Sequence, residues 1–239
     1  MNTLTALGAA GANRVPDLTA RPVLLFVAIA ALSLLPFVIL LMTSFVKIAV
    51  VLAILKSALG SAQIPPSQVI TGLALILTMV VMAPTGERMY RAVEPELSGG
   101  AAVALASAQG VESLVHAAGK AKEPLREFLL KHGSARERGV FHALALRLRT
   151  ESEQAAVAER DFSVLVPAFL ATELRRAFEI GFLIFIPFLV VDLVVANLLM
   201  ALGMSMLSPT AVSLPFKLLL FVLADGWQIL LRGLVESYV

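Results

Sequence analysis

The sequence contains no cysteine. This absence excludes disulfide bonds, cysteine nucleophiles and cysteine-ligated metal sites, and it leaves the redox compartment open. Charged residues are also scarce, at 15% of the chain, against roughly 25% in ordinary soluble domains. The 19 basic and 17 acidic residues give a net charge of only +2, so no basic footprint for nucleic acid is present.

Apolar side chains are abundant, at 59% of the chain. Residues 22–46 and 193–216 are free of charge for 25 and 24 residues, and about 20 apolar residues are enough to cross a bilayer. This composition excludes a disordered, collagen-like or coiled-coil chain. The sequence therefore predicts a membrane-associated protein.

The beginning of the sequence carries only part of a signal-peptide pattern. Ala28-Ile29-Ala30 resembles a cleavage motif, but only five apolar residues separate it from Pro22, which is too few for the apolar region of a signal peptide. We therefore expect an N-terminal tail over residues 1–21 and a first apolar segment that is retained.

Most of the charge lies in one internal segment, residues 85–161, with 11 basic residues, 11 acidic residues and all three histidines. We interpret it as a water-facing helical insert on the periplasmic side. Pro124 and Gly133 predict the start and end of one short helix. A second helix is predicted over residues 136–159. Its inward-facing side chains, at i, i+3 and i+7 spacing, are Phe141, Leu144 and Leu148.

Two apolar blocks flank this insert, residues 22–84 and 162–239, and each is predicted to form a long helical hairpin. The fold class is therefore all-α and membrane-type, with about four hydrophobic segments. One straight helix over residues 22–59 would be about 57 Å long, nearly twice the roughly 30 Å hydrocarbon thickness, so it must break or tilt. The return segment, residues 69–83 before Pro84, is short for a span.

Charges within the second apolar block need partners, because a charge at the bilayer centre costs about 2.5–3.5 kcal/mol. Lys217 and Asp225 are eight residues apart, roughly 12 Å along one helix, so neither satisfies the other. We expect their partners, and that of Asp192, on another helix or another chain, which favours an oligomer. Earlier charges in the block are predicted to pair locally, as Arg175–Glu179 and Glu173–Arg176.

Several stretches carry a family resemblance. In the first block they are Thr43-Ser44-Phe45-Val46-Lys47, Ala58-Leu59-Gly60 and Gln63-Ile64-Pro65-Pro66-Ser67-Gln68. In the second they are residues 181–195 (GFLIFIPFLVVDLVV), Leu202-Gly203-Met204, residues 213–222 (SLPFKLLLFV) and Asp225-Gly226-Trp227. Together they resemble the FliP/SctR family of type III secretion export-apparatus proteins, and only the insert and the termini are unmatched.

The resemblance implies a scaffold subunit that performs no chemistry. On this resemblance, the subunit is expected to assemble as a helical pentamer, to build a pore with SctS and SctT, and to work with SctU and SctV. The implied cargo is unfolded effector protein, and neither a cofactor nor nucleic acid is implied. The implied location is the Gram-negative inner membrane, with several spans and lipid contact during insertion. The assembled pore is expected largely above the membrane plane, where short, charge-interrupted spans are tolerable against other subunits.

The resemblance also implies that the loop over residues 203–209 closes the resting pore as a methionine-rich gasket. The candidate constriction residues are Gly203, Met204, Met206 and Leu207. Methionine is flexible and polarizable, so a ring of such loops could seal the pore and still yield to varied side chains. Ser205 and Leu207 interrupt the methionine run usual in the family. The alternative is an ordinary turn between Gly203 and Pro209.

Each polar candidate has a second interpretation. Lys47, like Lys56, could belong to a turn held on the cytoplasmic side by the positive-inside tendency, rather than make a buried or inter-subunit contact. Asp192 and Lys217 are predicted to pair between protomers, with a proton relay as the alternative. Asn197 and Asp225 complete the set of candidate polar contacts.

Enzyme motifs fail on inspection. Gly119-Lys120 is not a P-loop, because Leu114 stands where the first glycine belongs and Ala121 follows the lysine. The histidines have no metal-binding spacing. One alternative of another class remains, a solute transporter with a midplane site made by Asp192, Asn197, Lys217 and Asp225. It is disfavoured because the two apolar blocks share no motif of the kind expected from internal repeats.

Within the family, we favour the injectisome branch over the flagellar export-gate counterpart. The incomplete signal-peptide pattern supports this choice. So does Phe45-Val46-Lys47, where flagellar relatives more often resemble Phe-Thr-Arg.

Overall fold

The computed structural model describes residues 22–60, 65–96, 108–204 and 206–239. These residues contain helices and turns but no strand, which confirms the all-α prediction. The predicted tail 1–21, Gln63-Ile64 and Ser205 lie outside the described residues. The helices are α1 Pro22–Leu41, α2 Phe45–Leu59, α3 Ser67–Glu96, α4 Ala108–His132, α5 Ala135–Arg147, α6 Glu151–Gln154, α7 Phe162–Ala201, α8 Pro209–Leu223 and α9 Gly226–Glu236.

The chain divides into two compact units, Met1–Ile39 and Leu40–Val239. The described part of the first unit belongs to α1, which continues through Pro36 and exposes apolar side chains such as Phe26 and Phe37. Every other helix belongs to the second unit.

The first apolar segment breaks between Leu41 and Phe45 rather than at a proline. Thr43 satisfies backbone groups at this break, because its Oγ1 donates to the Leu40 carbonyl at 2.7 Å and accepts from the Phe45 amide at 3.3 Å. Lys47 therefore lies inside α2, and its interpretation as a turn residue is wrong.

Helix α3 does not end at Pro84, as the sequence predicted, but continues to Glu96. A proline inside a helix removes one backbone hydrogen bond and costs about 3 kcal/mol. Packing against α4 offsets this cost, and an ion pair between Arg88 and Glu127 joins the two helices at 3.1 Å.

The second apolar block begins with one continuous helix, α7, of 40 residues, which is about 60 Å long. The turn predicted over residues 203–209 separates α7 from α8. The final segment breaks near Asp225, where α8 and α9 meet with a 61° bend. Asp225 has a positive φ of 50° at this break.

The insert is helical, but its helices have other boundaries. Pro124 lies inside α4 rather than at a helix start, whereas the helix does end before Gly133. The helix predicted over 136–159 ends at Arg147. Leu144 and Leu148 are exposed, so the prediction that they pack inward is wrong. The less exposed side of α5 instead carries residues at i, i+3, i+4 and i+7 spacing, namely Arg138, Phe141, His142 and Ala145.

Helix α2 lies at the centre of the larger apolar core. It packs against α3, α7 and α8, and α7 comes so close at Gly181 that a Cβ atom there would collide with Ile54. The fully buried residues that α2 contributes are Ile48, Val51, Leu52 and Leu55. A smaller core joins α4 to α7 through Phe128, Leu129, Leu165, Phe169 and Tyr238.

By length and composition, two helices in the described part of the chain can cross a membrane, Ser67–Pro95 and Phe162–Ala201. Two further bent helix pairs raise the number to four if each pair counts as one span.

Candidate functional site

A partly buried ion pair joins α7 and α8. Lys217 Nζ lies 2.6 Å from Asp192 Oδ2, and Ser213 Oγ donates to Asp192 Oδ1 at 2.5 Å. Lys217 is 2% exposed and Asp192 31%. The sequence placed the partner of Lys217 on another helix or another chain, and the structure finds it on α7 of the same chain.

Lys217 also contacts the end of α2. Its Nζ donates to the Ala58 carbonyl at 3.0 Å, one of the last carbonyls of that helix, which have no partner within the helix. A cation at this position also interacts favourably with the helix dipole. We call Asp192, Ser213, Lys217 and the Ala58 carbonyl the helix clamp, because they connect α2, α7 and α8.

The clamp residues of α8 lie on one face of that helix. Ser213, Lys217 and Phe221 are buried at i, i+4 and i+8 spacing and lie on one helical face. Gly60, with a φ of 78°, caps α2 beside the clamp. A Cβ atom at Gly60 would lie 3.4 Å from Lys217 Nζ, so the clamp leaves little room for a larger residue.

A second buried ion pair joins α2 to α7 nearer the insert. Lys47 Nζ lies 3.4 Å from Glu173 Oε2, with side chains 1% and 0% exposed. Arg176 donates to Glu173 Oε1 at 3.2 Å and to the His132 carbonyl at 3.0 Å. The Tyr238 hydroxyl donates to Glu173 Oε2. We call Lys47, His132, Glu173, Arg176 and Tyr238 the inner polar cluster.

Aromatic contacts complete this cluster. Lys47 Nζ lies 3.5 Å from the centroid of the Tyr238 ring, a cation–π geometry. The ring of His132 meets the Tyr238 ring edge-on at a centroid distance of 5.1 Å. The ring of Phe128 lies nearly parallel to the Tyr238 ring, at a centroid distance of 6.1 Å. Tyr238 therefore touches α2, α4 and α7 through one side chain.

Burial changes the protonation of two cluster residues. Desolvation, with smaller effects from Lys131, Lys47 and Arg176, lowers the pKa of His132 to about 4. Desolvation, followed by the negative charge and hydrogen bond of Glu173, raises the pKa of Tyr238 above its usual value. His132 and Tyr238 are thus both neutral at physiological pH.

The predicted gasket loop lies on the surface of the single chain. Gly203 has a φ of 71° and ends α7, where the Met204 amide donates to the Leu199 carbonyl at 2.9 Å. Such a left-handed glycine is a common helix terminator. Met206 is 99% exposed, and Met204 and Leu207 are about half exposed.

The other candidates do not join these networks. Asn197 and Asp225 are exposed, and within the described ranges neither side chain makes an ion pair or a hydrogen bond. Only Asp192 and Lys217, of the four residues in the transporter alternative, contact each other. The described residues also contain no group of side chains able to hold a metal ion.

Sequence reasoning missed most of the inner polar cluster. It predicted the local pairs Arg175–Glu179 and Glu173–Arg176, and both are confirmed. It did not connect Glu173 with Lys47 or Tyr238. The available signal was Lys47 itself, because a lysine in an apolar helix needs an acidic partner.

These features define a class, the polytopic all-helical membrane proteins with charges paired between helices. A model of the FliP family matches residues 28–234. The chain belongs to the FliP family, whose members are structural export-apparatus components, so the prediction that it is not an enzyme is confirmed.

Several curated relatives match nearly the whole chain. One is the hypersensitivity response secretion protein HrcR of Ralstonia nicotianae, 46% identical over 90% of this chain and 96% of the relative. The Yop proteins translocation protein R of Yersinia pestis is 44% identical over 90% and 95%. The flagellar biosynthetic protein FliP of Caulobacter vibrioides is 46% identical over 92% and 78%.

Proposed function

We propose that the chain is the pore-forming scaffold subunit of a type III secretion export apparatus. In this proposal, a homo-pentamer assembles with SctS and SctT, and then with SctU and SctV, and passes unfolded effector proteins across the bacterial inner membrane. The relatives HrcR and Yop translocation protein R, which align over almost their full lengths, support this assignment.

The observation that carries the proposal is the uncovered apolar surface of α7. The second half of α7 carries large apolar side chains that are exposed along its length, namely Phe182, Leu183, Leu189, Val190, Leu193, Val194 and Leu198. A continuous apolar surface of this kind marks a contact with protein or membrane. The whole of α7 is about 60 Å long, twice the roughly 30 Å hydrocarbon thickness, so about half of the helix lies outside lipid. This length suits a complex that rises above the membrane plane on the periplasmic side, with neighbouring subunits against the helix.

The exposed loop at the end of α7 fits the proposed constriction. In a ring of subunits, the loops carrying Gly203, Met204, Met206 and Leu207 would meet around the axis. The helix clamp connects both helices that flank the loop to α2, so it would hold the loop at a fixed height. This rigidity suits a seal that must close reproducibly.

We propose a role for the two ion pairs within one subunit rather than between subunits. Lys47 and Lys217 each have an acidic partner in the same chain. Neither charge then needs lipid or a neighbour to neutralise it, which allows one subunit to be inserted as a multi-pass membrane protein before assembly. Asn197 and Asp225 are exposed and remain candidates for contacts between subunits.

Stoichiometry tests this function most directly. The chain is expressed with its neighbouring genes, extracted in detergent and examined by native mass spectrometry. We expect a pentamer that carries small hydrophobic partners. A monomer or dimer that persists with every neighbour present would contradict the scaffold and favour the transporter alternative.

The flagellar branch is the second candidate, because the chain is 46% identical to a flagellar FliP. Genetic complementation distinguishes it from the injectisome branch. The chain is introduced into one strain that lacks the injectisome subunit and another that lacks the flagellar subunit. We expect restored effector secretion in the first strain and no restored motility in the second. The reverse result would assign the chain to the flagellar branch.

A further inference from the structure

The segment after α9 has one buried residue between two exposed ones. Tyr238 is 7% exposed, whereas Val239 is 95% exposed and Ser237 is also exposed. The backbone bonds of this segment are local turns, from the Tyr238 amide to the Val235 carbonyl and from the Val239 amide to the Glu236 carbonyl. Apart from an exposed bond between Lys131 and the Val239 carbonyl at 3.3 Å, the Tyr238 side chain makes the polar contacts of this segment with other helices.

A cavity of about 450 Å³ lies directly beside Tyr238. It opens among α3, α4 and the segment after α9, and its polar lining comes from Thr85, Arg88, Glu127, Lys131 and His132. The side chains of Arg88 and Glu127 are more than half exposed, so this cavity faces water. Lys47 and Glu173 do not line it, whereas Tyr238 does. The phenol ring therefore lies between this solvent-facing cavity and the buried ion pair.

We propose that Tyr238 is a plug that closes the Lys47–Glu173 ion pair off from this cavity and fastens the insert to the membrane helices. Its ring covers the Lys47 ammonium, its hydroxyl binds the Glu173 carboxylate, and its edge packs on His132 of α4. Removing the ring opens the cavity to a pair whose side chains are otherwise 1% and 0% exposed. It also removes a side chain that touches α2, α4 and α7 together.

The two functions of the side chain can be separated by substitution. Tyr238→Phe keeps the ring over Lys47 and loses the bond to Glu173, whereas Tyr238→Ala removes both. The chain has only one other tyrosine, Tyr90, which is 63% exposed. Tyr90→Ala is therefore the matched control for loss of a tyrosine that plugs nothing.

Lysine acylation measures the opening directly. The full chain, in its detergent-extracted complex, is treated with an acetylating reagent, and each lysine is quantified by peptide mass spectrometry. In the unmodified protein, Lys47 and Lys217 are both expected to react slowly, since they are 1% and 2% exposed, and the exposed Lys122 reports the activity of the reagent. We expect Tyr238→Ala to raise acylation of Lys47 at least about tenfold, because local opening replaces global unfolding as the route to water.

The acylation of Lys47 in the three variants decides whether Tyr238 acts as a plug. Tyr238→Phe and Tyr90→Ala are expected to leave Lys47 protected. The plug is refuted if Lys47 stays protected in Tyr238→Ala, or if Phe exposes it as fully as Ala does. A parallel rise at Lys217 would also refute it, because the protection would then come from the whole fold. Labelling requires no export activity, so a negative result leaves the proposed export function untouched.

Discussion

Lys47 and Glu173 form an ion pair across the interface of α2 and α7, with Nζ and Oε2 3.4 Å apart and both side chains almost fully buried. Water screens a pair at this depth very little. Removal of one partner leaves the other as an uncompensated buried charge, which costs far more than the loss of a surface pair. The packing of α2 against α7 therefore depends on both partners of the pair.

Glu173→Ala is expected to destabilise the protein by about 3–5 kcal/mol, because Lys47 stays buried without its partner. The control is Glu179→Ala, which breaks the exposed pair with Arg175 and should cost about 0.3–0.5 kcal/mol. Thermal unfolding of the detergent-extracted protein, followed by circular dichroism, measures both. Equal losses in the two variants would contradict the buried pair.

The helix clamp is expected to show strong coupling in a double-mutant cycle. Lys217→Met and Asp192→Asn should each destabilise the protein, and the double variant should lose less than the sum by about 0.5–3 kcal/mol. Because the pair lies within one chain, the loss should appear in unfolding of the subunit and not only in oligomer dissociation. Strict additivity would mean that the two side chains do not interact.

Replacement of Met204 and Met206 by alanine tests the proposed gasket. Shorter side chains cannot close the gap between neighbouring loops, so we expect a larger passive leak of small ions with assembly intact. The matched control is Met79→Ala, a change at an exposed methionine of α3. Conductance is recorded from the complex reconstituted in planar bilayers. The same conductance in all three proteins would argue for an ordinary turn.

His132 gives the stability a pH dependence of known sign. Its pKa is about 4 in the folded chain and 6.5 when unperturbed, so the unfolded state binds more protons between these values. Above pH 6.5 the imidazole is neutral in both the folded and the unfolded state, so it does not change the stability. As the pH drops from 6.5 towards 4, the unfolded state gains a proton that the folded state does not, and the free energy of unfolding falls by at most about 3 kcal/mol. Chemical unfolding between about pH 7 and pH 4 should show this loss.

The variant His132→Gln identifies the source of that dependence. Glutamine does not titrate, so the free energy of unfolding should fall less steeply over the same pH range. A variant with the slope of the unmodified protein would assign the pH dependence to other groups.

Ser44 and Thr43 provide a contrast at the break between α1 and α2. The Ser44 hydroxyl is fully buried and has no hydrogen-bond partner among the described residues, so Ser44→Ala should leave stability unchanged or raise it by about 1 kcal/mol. Thr43→Ala removes two hydrogen bonds and should lower stability by about 1 kcal/mol. Thermal unfolding measures both variants, and a larger loss at Ser44 than at Thr43 would contradict this structure of the break.

The sequence predicted which segments are helical better than it predicted where each helix begins and ends. Its charge-free runs and motif stretches predicted the helical class and the family, both confirmed. Pro84 and Pro124 were interpreted as helix boundaries, and both lie inside helices. An interior proline costs about 3 kcal/mol, and packing of a long apolar helix exceeds that amount. Local preference therefore could not locate the ends.

The candidate site, too, could be predicted from the sequence only in part. Spacing along one helix was enough to predict the local pairs Arg175–Glu179 and Glu173–Arg176. The i, i+4 pattern on α8 likewise brings Ser213 and Lys217 to one face. The partner of Lys47 and the role of Tyr238 could not be predicted, since these residues are far apart in the sequence and on different elements.

By itself, the sequence determined that this protein is helical and apolar, because hydrophobic burial and helix periodicity are properties of local segments. Its motif stretches carried the resemblance to the FliP family, which the family match confirms. Only the tertiary structure decided which charges meet. Lys47 pairs with Glu173, Lys217 with Asp192, and Tyr238 covers the first pair. These contacts depend on how α2, α4, α7 and α8 pack together, and a buried charge is stable only where that packing supplies its partner.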